Sequence, residues 1–240
     1  MCKNPHFPHF KKNKDMFNRT IIHELEHWKE RRDRKPLMML GARQVGKTSV
    51  LKKFGKDSFE HCAYFSLDEE EGVCDIFRKT KNPLQIIEQL SYLTSELILP
   101  QKTLLIFDEI QDCPEAISAM KYFCEKTPEY AVACAGSLQG LTFGHQGFSF
   151  PVGKVDHMNM YPVTFSEFLE QRDASLYQYY MSIDSLELLP DVFFDRLSQA
   201  FTAYRISGGM PAVAMKMIEK DLNGVETMLR TYCRIIPWTL

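Results

Sequence analysis

The residues with the clearest chemistry form one stretch of this 240-residue chain, Gly41-Ala42-Arg43-Gln44-Val45-Gly46-Lys47-Thr48. The stretch fills the pattern G-x-x-x-x-G-K-[ST]. Its glycines let the backbone turn tightly and approach a ligand closely. Successive N–H groups then point into one concavity at a helix N-terminus, where the helix dipole favours anions. We therefore predict a phosphate-binding loop that includes the next residue, Ser49, with Lys47 at the β- and γ-phosphates and the Thr48 hydroxyl on Mg²⁺.

A pair of acids provides the second chemical feature. Asp108 and Glu109 follow the apolar run 104–107, which is typical of a strand buried on both faces of a parallel sheet. Ligands collect at the carboxyl ends of such strands, so Asp108 is expected beside the phosphate loop, holding Mg²⁺ through a coordinated water. The Glu109 carboxylate is placed to polarise a water for in-line attack on the γ-phosphate.

The elements around these residues indicate an α/β fold. The apolar run 37–40 predicts a strand before the loop, and residues 49–54 predict a helix after it. Further strands are expected at 61–67, 131–135 and 155–160. The strand at 131–135 is closed by Gly136 and Ser137, and Ser137 either senses the γ-phosphate or caps a helix that starts near residue 138.

The flanking segments are less sharply patterned. Phe17, Ile21, Leu25 and Trp28 form one apolar stripe and predict a helix that starts at Asp15. The basic residues that follow, 29–35, are either a nucleic-acid or partner contact or the solvated end of that helix. Residues 164–167 form a capping box, and the weak pattern over 174–190 indicates a domain boundary.

Composition narrows the class of protein. The chain is 45% hydrophobic and 25% charged, which is ordinary for a soluble globular protein, and its net charge of −2 gives no global attraction to nucleic acid or acidic membranes. A DNA partner is therefore not supported by the overall charge. No apolar run approaches the roughly 18–20 residues that span a bilayer, and no secretion signal is recognisable, so the cytoplasm is the expected location.

Taken in order, these motifs resemble the ASCE division of P-loop NTPases, and more narrowly the bacterial and archaeal AAA+-type ATPases. The stretches that carry the resemblance are 41–48, Phe107-Asp-Glu-Ile-Gln111, Ala135-Gly-Ser137, Pro151-Val-Gly-Lys154, 161–168 and Gly208-Gly-Met-Pro211. The resemblance implies a three-layer α/β/α fold with a mainly parallel sheet, ATP and Mg²⁺ as ligands, and a small C-terminal helical lid. It also implies that residues 41–48 are a Walker A motif, that Asp108 and Glu109 are a Walker B pair, and that Ser137 is a sensor. The expected division is a lead-in over 1–15, an ATPase core over 16–172 and the lid over 173–240.

The chain departs from these relatives in two ways. Lys154 stands where relatives often carry Arg as a finger onto a neighbour's γ-phosphate, and Lys lacks the planar bidentate fork. Lys154 is thus either a finger, which would require at least a homo-oligomer, or part of a solvated turn. Relatives also usually continue into a domain resembling restriction endonucleases. The sequence stops at residue 240 before such a domain, and from its apolar end at 235–240 we expect a truncated product.

Four functions stay open from the sequence, and one of them is a DNA-binding module on the basic residues 29–35, against which the net charge argues. The other three are as follows. The first is an ATPase module that couples its nucleotide state to an unknown protein partner or a DNA transaction. The second is a nucleotide-binding switch that does not hydrolyse ATP. The third is a small-molecule kinase. Two observations argue against it, because the acidic pair suits the activation of water and no Arg-rich lid is recognisable in the sequence.

Overall fold

The chain is described by a computed structural model over residues 16–137, 151–185 and 188–235. Its contacts group it into two compact units. The sheet unit comprises Ile21–Tyr161, and the helical unit comprises Met1–Thr20 with Pro162–Leu240.

The sheet unit alternates strands and helices. Its strands are β1 (Leu37–Gly41), β2 (His61–Ser66), β3 (Thr103–Asp108), β4 (Ala131–Ser137) and β5 (Asp156–Met160). Its described helices are α1 (Ile21–Glu30), α2 (Lys47–Ser58), α3 (Glu71–Lys79), α4 (Pro83–Ser91) and α5 (Pro114–Lys126), with a short 3₁₀ turn at Ile110–Asp112. The helical unit contains α6 (Phe165–Arg172), α7 (Ala174–Met181), α8 (Asp191–Ser207), α9 (Pro211–Ile218) and α10 (Leu222–Ile235).

The five strands of the described residues run parallel in the order β2-β3-β4-β1-β5. The central strands β1, β3 and β4 are apolar along nearly their whole length, as expected for strands covered on both faces. Because β4 lies between β1 and β3, the phosphate-loop strand and the acidic strand are separated by one strand. Their carboxyl ends nevertheless share one edge of the sheet, as the sequence predicts.

Alternating side chains of the strands build two cores. Leu104 and Ile106 face α1 and α2, and they share a core with Trp28 of α1 and Phe54 of α2. Leu105 and Phe107 face the layer of α3, α4 and α5. This division into helices, sheet and helices is the predicted three-layer α/β/α arrangement.

The predicted start of the first helix is wrong. In the described chain α1 begins at Ile21, so its apolar stripe contains Ile21, Leu25 and Trp28 but not Phe17. Phe17 instead packs in the core of the helical unit. The backbone N–H and hydroxyl of Thr20 donate to Glu167 Oε1, which fixes the chain in a different conformation just before the helix.

The capping box predicted at 164–167 is confirmed. The Thr164 hydroxyl accepts from the Glu167 N–H at 3.3 Å, and Glu167 Oε2 accepts from the Thr164 N–H at 2.9 Å. Glu167 is 3% exposed and also pairs with Arg19 at 3.2 Å. One buried carboxylate therefore organises the start of α6 and the segment before α1.

The predicted domain division stays a prediction. The contacts group residues 162–172 with the C-terminal helices, and α7 lies in the stretch that the sequence marked as poorly patterned. Of the helices in the described ranges, none has the length and apolarity needed to cross a membrane.

Candidate functional site

The predicted phosphate loop connects β1 to α2. Gly41 ends β1, the side chains at 42–44 are exposed, and Val45 is buried beneath the loop. Gly46 adopts a left-handed conformation, with φ of 98°, directly before the first residue of α2. The first turn of α2 contains no acidic residue, and Gly46 has no side chain to cap it. The N–H groups at this helix end are thus suited to an anion.

Lys47 lies inside the loop that precedes it. It is 6% exposed, and its ammonium donates to the carbonyl oxygens of Gly41 at 3.1 Å and Ala42 at 2.9 Å. Burial lowers the pKa of Lys47, while the carboxylates of Glu109 and Asp108 act in the opposite direction. The fold therefore holds the Lys47 ammonium at the mouth of the loop, beside the carboxylates of Asp108 and Glu109.

A short hydrogen bond joins the loop helix to the acidic strand. The Thr48 hydroxyl donates to Asp108 Oδ2 at 2.6 Å, across 60 residues of sequence. Asp108 is 4% exposed and ends β3. Its other oxygen, Oδ1, accepts from the Glu109 N–H at 3.0 Å. The hydroxyl and carboxylate predicted to serve one metal ion are thus in direct contact.

Glu109 has an unusual backbone conformation. Its φ of 49° and ψ of 46° lie in the left-handed region, where residues other than Gly are uncommon. The turn directs the chain from β3 into the 3₁₀ turn Ile110–Asp112. The Glu109 carboxylate accepts from Gln111 Nε2 at 2.6 Å.

Ser137 ends β4 and is 6% exposed. Its register partner in β1 is Gly41, so it lies next to the start of the phosphate loop. Its N–H donates to Gln111 Oε1 at 3.2 Å. The alternative role of Ser137, capping a helix near residue 138, lies outside the described residues.

Lys154 makes its hydrogen bond and its ion pair with residues outside this cluster. Its N–H closes a turn on the Pro151 carbonyl, and its half-exposed ammonium pairs with Glu125 of α5 at 2.9 Å. The pair raises the pKa of Lys154 and lowers the pKa of Glu125. These contacts are those expected of a solvated turn, and the role of Lys154 as a finger stays a prediction.

The basic run 29–35 also makes local contacts. Arg31 pairs with Asp33 and Asp156, each at 3.2 Å, and Arg34 donates to the Lys29 carbonyl at 3.1 Å. These interactions tie the helix end to its own unit, and a nucleic-acid or partner contact by this run stays a prediction.

The donor set fits a magnesium nucleotide. Mg²⁺ prefers oxygen ligands and is commonly held by one or two carboxylates together with substrate phosphates. Thr48 and Asp108 supply a hydroxyl and a carboxylate at one point, and Lys47 supplies a positive charge next to it. In the described ranges no cluster of three or more His, Cys, Asp or Glu offers a metal site made by protein alone.

Two residues of the site were missed by sequence reasoning. The Tyr64 hydroxyl donates to Asp108 Oδ2 at 3.1 Å, and Gln111 bridges Glu109 and Ser137. Burial, with a further contribution from the Asp108 charge, raises the pKa of Tyr64 to about 12, so its hydroxyl keeps its proton. Knowledge that β2 pairs with β3 would have directed attention to Tyr64. That pairing is not readable from local pattern.

Comparisons with known proteins identify the family and the fold. The sequence model described as an AAA domain matches residues 33–169. The Walker-type ATPase PABY2304 of Pyrococcus abyssi has a similar structure, with 18% identity and a TM-score of 0.50, over 90% of this chain and 69% of that one. Domain III of the replication initiation protein DnaA of Thermotoga maritima is similar with 14% identity and a TM-score of 0.49, over 86% of this chain and 83% of that one. A search of curated proteins gave no significant match. The first structural likeness supports the P-loop NTPase fold.

Proposed function

Because the chain belongs to the AAA domain family, we propose that it binds ATP with Mg²⁺ and hydrolyses it. The observation that carries the proposal is the contact of 2.6 Å between the Thr48 hydroxyl and the Asp108 carboxylate. It brings the two predicted metal ligands together at the loop that contains Lys47. A free Gly-rich turn that matched the loop pattern by accident would not place them so.

Each residue has a distinct part in this proposal. The N–H groups at the start of α2 and the Lys47 ammonium bind the phosphates and stabilise charge that develops in the transition state. Thr48 and Asp108 hold the metal ion, which supplies further charge neutralisation when bound. Glu109 orients the attacking water and accepts its proton, as a general base must.

We further propose that the nucleotide state is coupled to a partner through the helical unit. The helical unit exposes large apolar side chains at Val192, Phe194, Phe201 and Ile206 of α8 and at Leu222, where α10 begins. Such exposure is typical of interaction surfaces. A protein partner or a second copy of the chain fits such an apolar surface, whereas a DNA transaction is the alternative that the net charge of −2 does not support. The setting is the cytoplasm, where free thiols such as Cys74 and Cys134 stay reduced.

The test is phosphate release from ATP with Mg²⁺, together with binding of a fluorescent ATP analogue. Glu109→Gln is expected to abolish release while keeping the nucleotide bound, and Lys47→Ala is expected to lose both. Matched controls are Glu88→Gln and Lys56→Ala, which change exposed side chains of α4 and α2 in the same unit.

The outcomes separate the alternatives. If the wild type binds ATP without turnover, the protein is a nucleotide-dependent switch and not an ATPase. If the phosphate appears on an acceptor molecule rather than free in solution, it is a kinase. If neither ATP nor its analogue binds, the phosphate-loop argument fails.

A further inference from the structure

Gln111 occupies an enclosed position between the acidic pair and the neighbouring strand. It lies in the 3₁₀ turn after β3 and is 8% exposed. Its Nε2 donates to Glu109 Oε2 at 2.6 Å and to Asp112 Oδ2 at 3.1 Å. Both hydrogens of the amide nitrogen therefore have carboxylate acceptors.

The other end of the same amide reaches across to β4. Gln111 Oε1 accepts from the Ser137 N–H at 3.2 Å, in buried surroundings. Carboxylates only accept and a backbone N–H only donates, so the network fixes which way the amide points. One side chain thus connects the Glu109 carboxylate to the backbone at the end of β4.

Gly136 leaves the space that this side chain occupies. A Cβ at Gly136 would lie 3.1 Å from Gln111 Oε1 and 3.0 Å from Ile110 Cγ2, which is tighter than ordinary packing. The absence of a side chain at residue 136 therefore allows Gln111 to dock against β4. Ala135-Gly136-Ser137 and Gln111 form one structural unit although they are more than 20 residues apart.

We propose that Gln111 is a positioning residue, which holds the Glu109 carboxylate in register with the end of β4 for attack by water on ATP. This inference rests on the proposed ATPase function. Gln111 donates to Oε2 of Glu109, which leaves Oε1 as the oxygen that accepts the proton of the attacking water. Ser137 lies beside Gly41 of the phosphate loop, so Gln111 links the base to the strand next to that loop.

Two variants of nearly equal size test the role. Gln111→Met keeps the length of the side chain without a donor, and Gln111→Glu replaces the donor by a third carboxylate. In both, kcat is expected to fall about 100-fold, the scale of a misplaced catalytic group. The dissociation constant of a fluorescent ATP analogue is expected to stay near wild type, since Gln111 does not belong to the phosphate loop. The thermal midpoint is expected to fall by only about 2–6 °C, because each variant removes buried hydrogen bonds.

Asp112→Asn is the matched control. Asp112 is exposed and accepts from the same Gln111 nitrogen, and an Asn at this position still offers that nitrogen an acceptor oxygen. Loss of the Asp112 charge is expected to change turnover by less than about threefold, because exposed polar contacts contribute little. A second readout uses no nucleotide: the side-chain amide resonance of Gln111, assigned by its loss in Gln111→Glu, should shift in Glu109→Ala.

The outcomes distinguish this inference from the function on which it rests. Unchanged kcat in both Gln111 variants, with turnover abolished by Glu109→Gln, overturns the positioning role and leaves the ATPase intact. A fall in kcat that is matched by lost nucleotide binding and a thermal midpoint lowered by more than about 6 °C assigns Gln111 a structural role only, and also overturns it. Wild type without turnover overturns both proposals. An amide resonance that does not respond to Glu109→Ala overturns the contact itself.

Discussion

The backbone of Glu109 offers a test of whether this residue is kept for function at the expense of stability. Its φ of 49° and ψ of 46° lie in the left-handed region. That region costs an L-residue about 1–2 kcal/mol, whereas glycine adopts it freely. We predict that Glu109→Gly is more stable than Glu109→Ala. Both variants lack the carboxylate and the bond to Gln111, so their difference isolates the backbone.

The expected size follows from two opposing terms. The native state of the Gly variant is relieved of about 1–2 kcal/mol of strain. Its unfolded state gains conformational freedom, which lowers stability by about 0.4–1 kcal/mol. The net advantage of Gly over Ala is therefore centred on about 0.8 kcal/mol in the free energy of unfolding, with about 0 and about 1.6 kcal/mol as its extremes. Turnover is expected to be lost in both variants, because neither retains the base.

A matched pair at Glu115 controls for the general effect of glycine. Glu115 lies in the first turn of α5, where the helical conformation favours Ala over Gly by about 0.5–1 kcal/mol. The order of the two variants should therefore reverse between the two positions.

The assay is urea unfolding followed by the fluorescence of Trp28. Trp28 is 2% exposed in the core of the sheet unit, and its indole N–H donates to the Lys35 carbonyl at 2.9 Å. The second tryptophan, Trp238, is replaced by Phe in all variants so that the signal reports one site. If Glu109→Gly is no more stable than Glu109→Ala while the Glu115 pair behaves as expected, the conformation at Glu109 stores no strain and the reasoning is refuted.

Three other predictions concern charged side chains. Glu167→Ala should destabilise the helical unit by about 3 kcal/mol, measured by hydrogen exchange, because it removes the carboxylate that pairs with buried Arg19; Glu167→Gln should cost less. Asp173→Ala should cost about 1 kcal/mol at neutral pH, since Asp173 caps α7. The pKa of Asp173 is lowered from 3.8, first by its bond to the Leu176 N–H, so its contribution is present above pH 3.8 and is lost as the pH falls through the lowered value; urea unfolding across that range should show wild type and variant converge. Lys154→Ala should change the thermal midpoint little, because its pair with Glu125 is exposed, and a large loss of turnover in this variant would support the finger interpretation.

The phosphate loop and the acidic strand were predictable because their signals are local. The loop pattern, the strand before it and the helix after it lie within about 20 consecutive residues, and β3 ends at the predicted acid. The capping box of Thr164 and Glu167 is likewise a short-range pattern. In each case the residues that form the pattern are neighbours in sequence, so their spacing alone predicts the local structure.

The start of the first helix was not predictable for the opposite reason. Phe17 matches the helical spacing of Ile21 and Leu25, yet it packs against residues from the end of the chain. The carboxylate that accepts from Thr20 belongs to Glu167, which is 147 residues away. Periodicity describes one segment at a time and contains no information about such a partner.

The hydrogen bonds around Glu109 show why the sequence motif alone does not predict the direction of its carboxylate. A motif places Asp108 and Glu109 next to each other, but in a regular strand consecutive side chains point to opposite faces. The left-handed turn at Glu109 breaks that alternation, and a residue in such a conformation persists only when its surroundings hold it. Gln111 is part of that support, and its own anchor at Ser137 exists because β4 lies next to β3. Strand order, which no local pattern encodes, therefore determines where the base points.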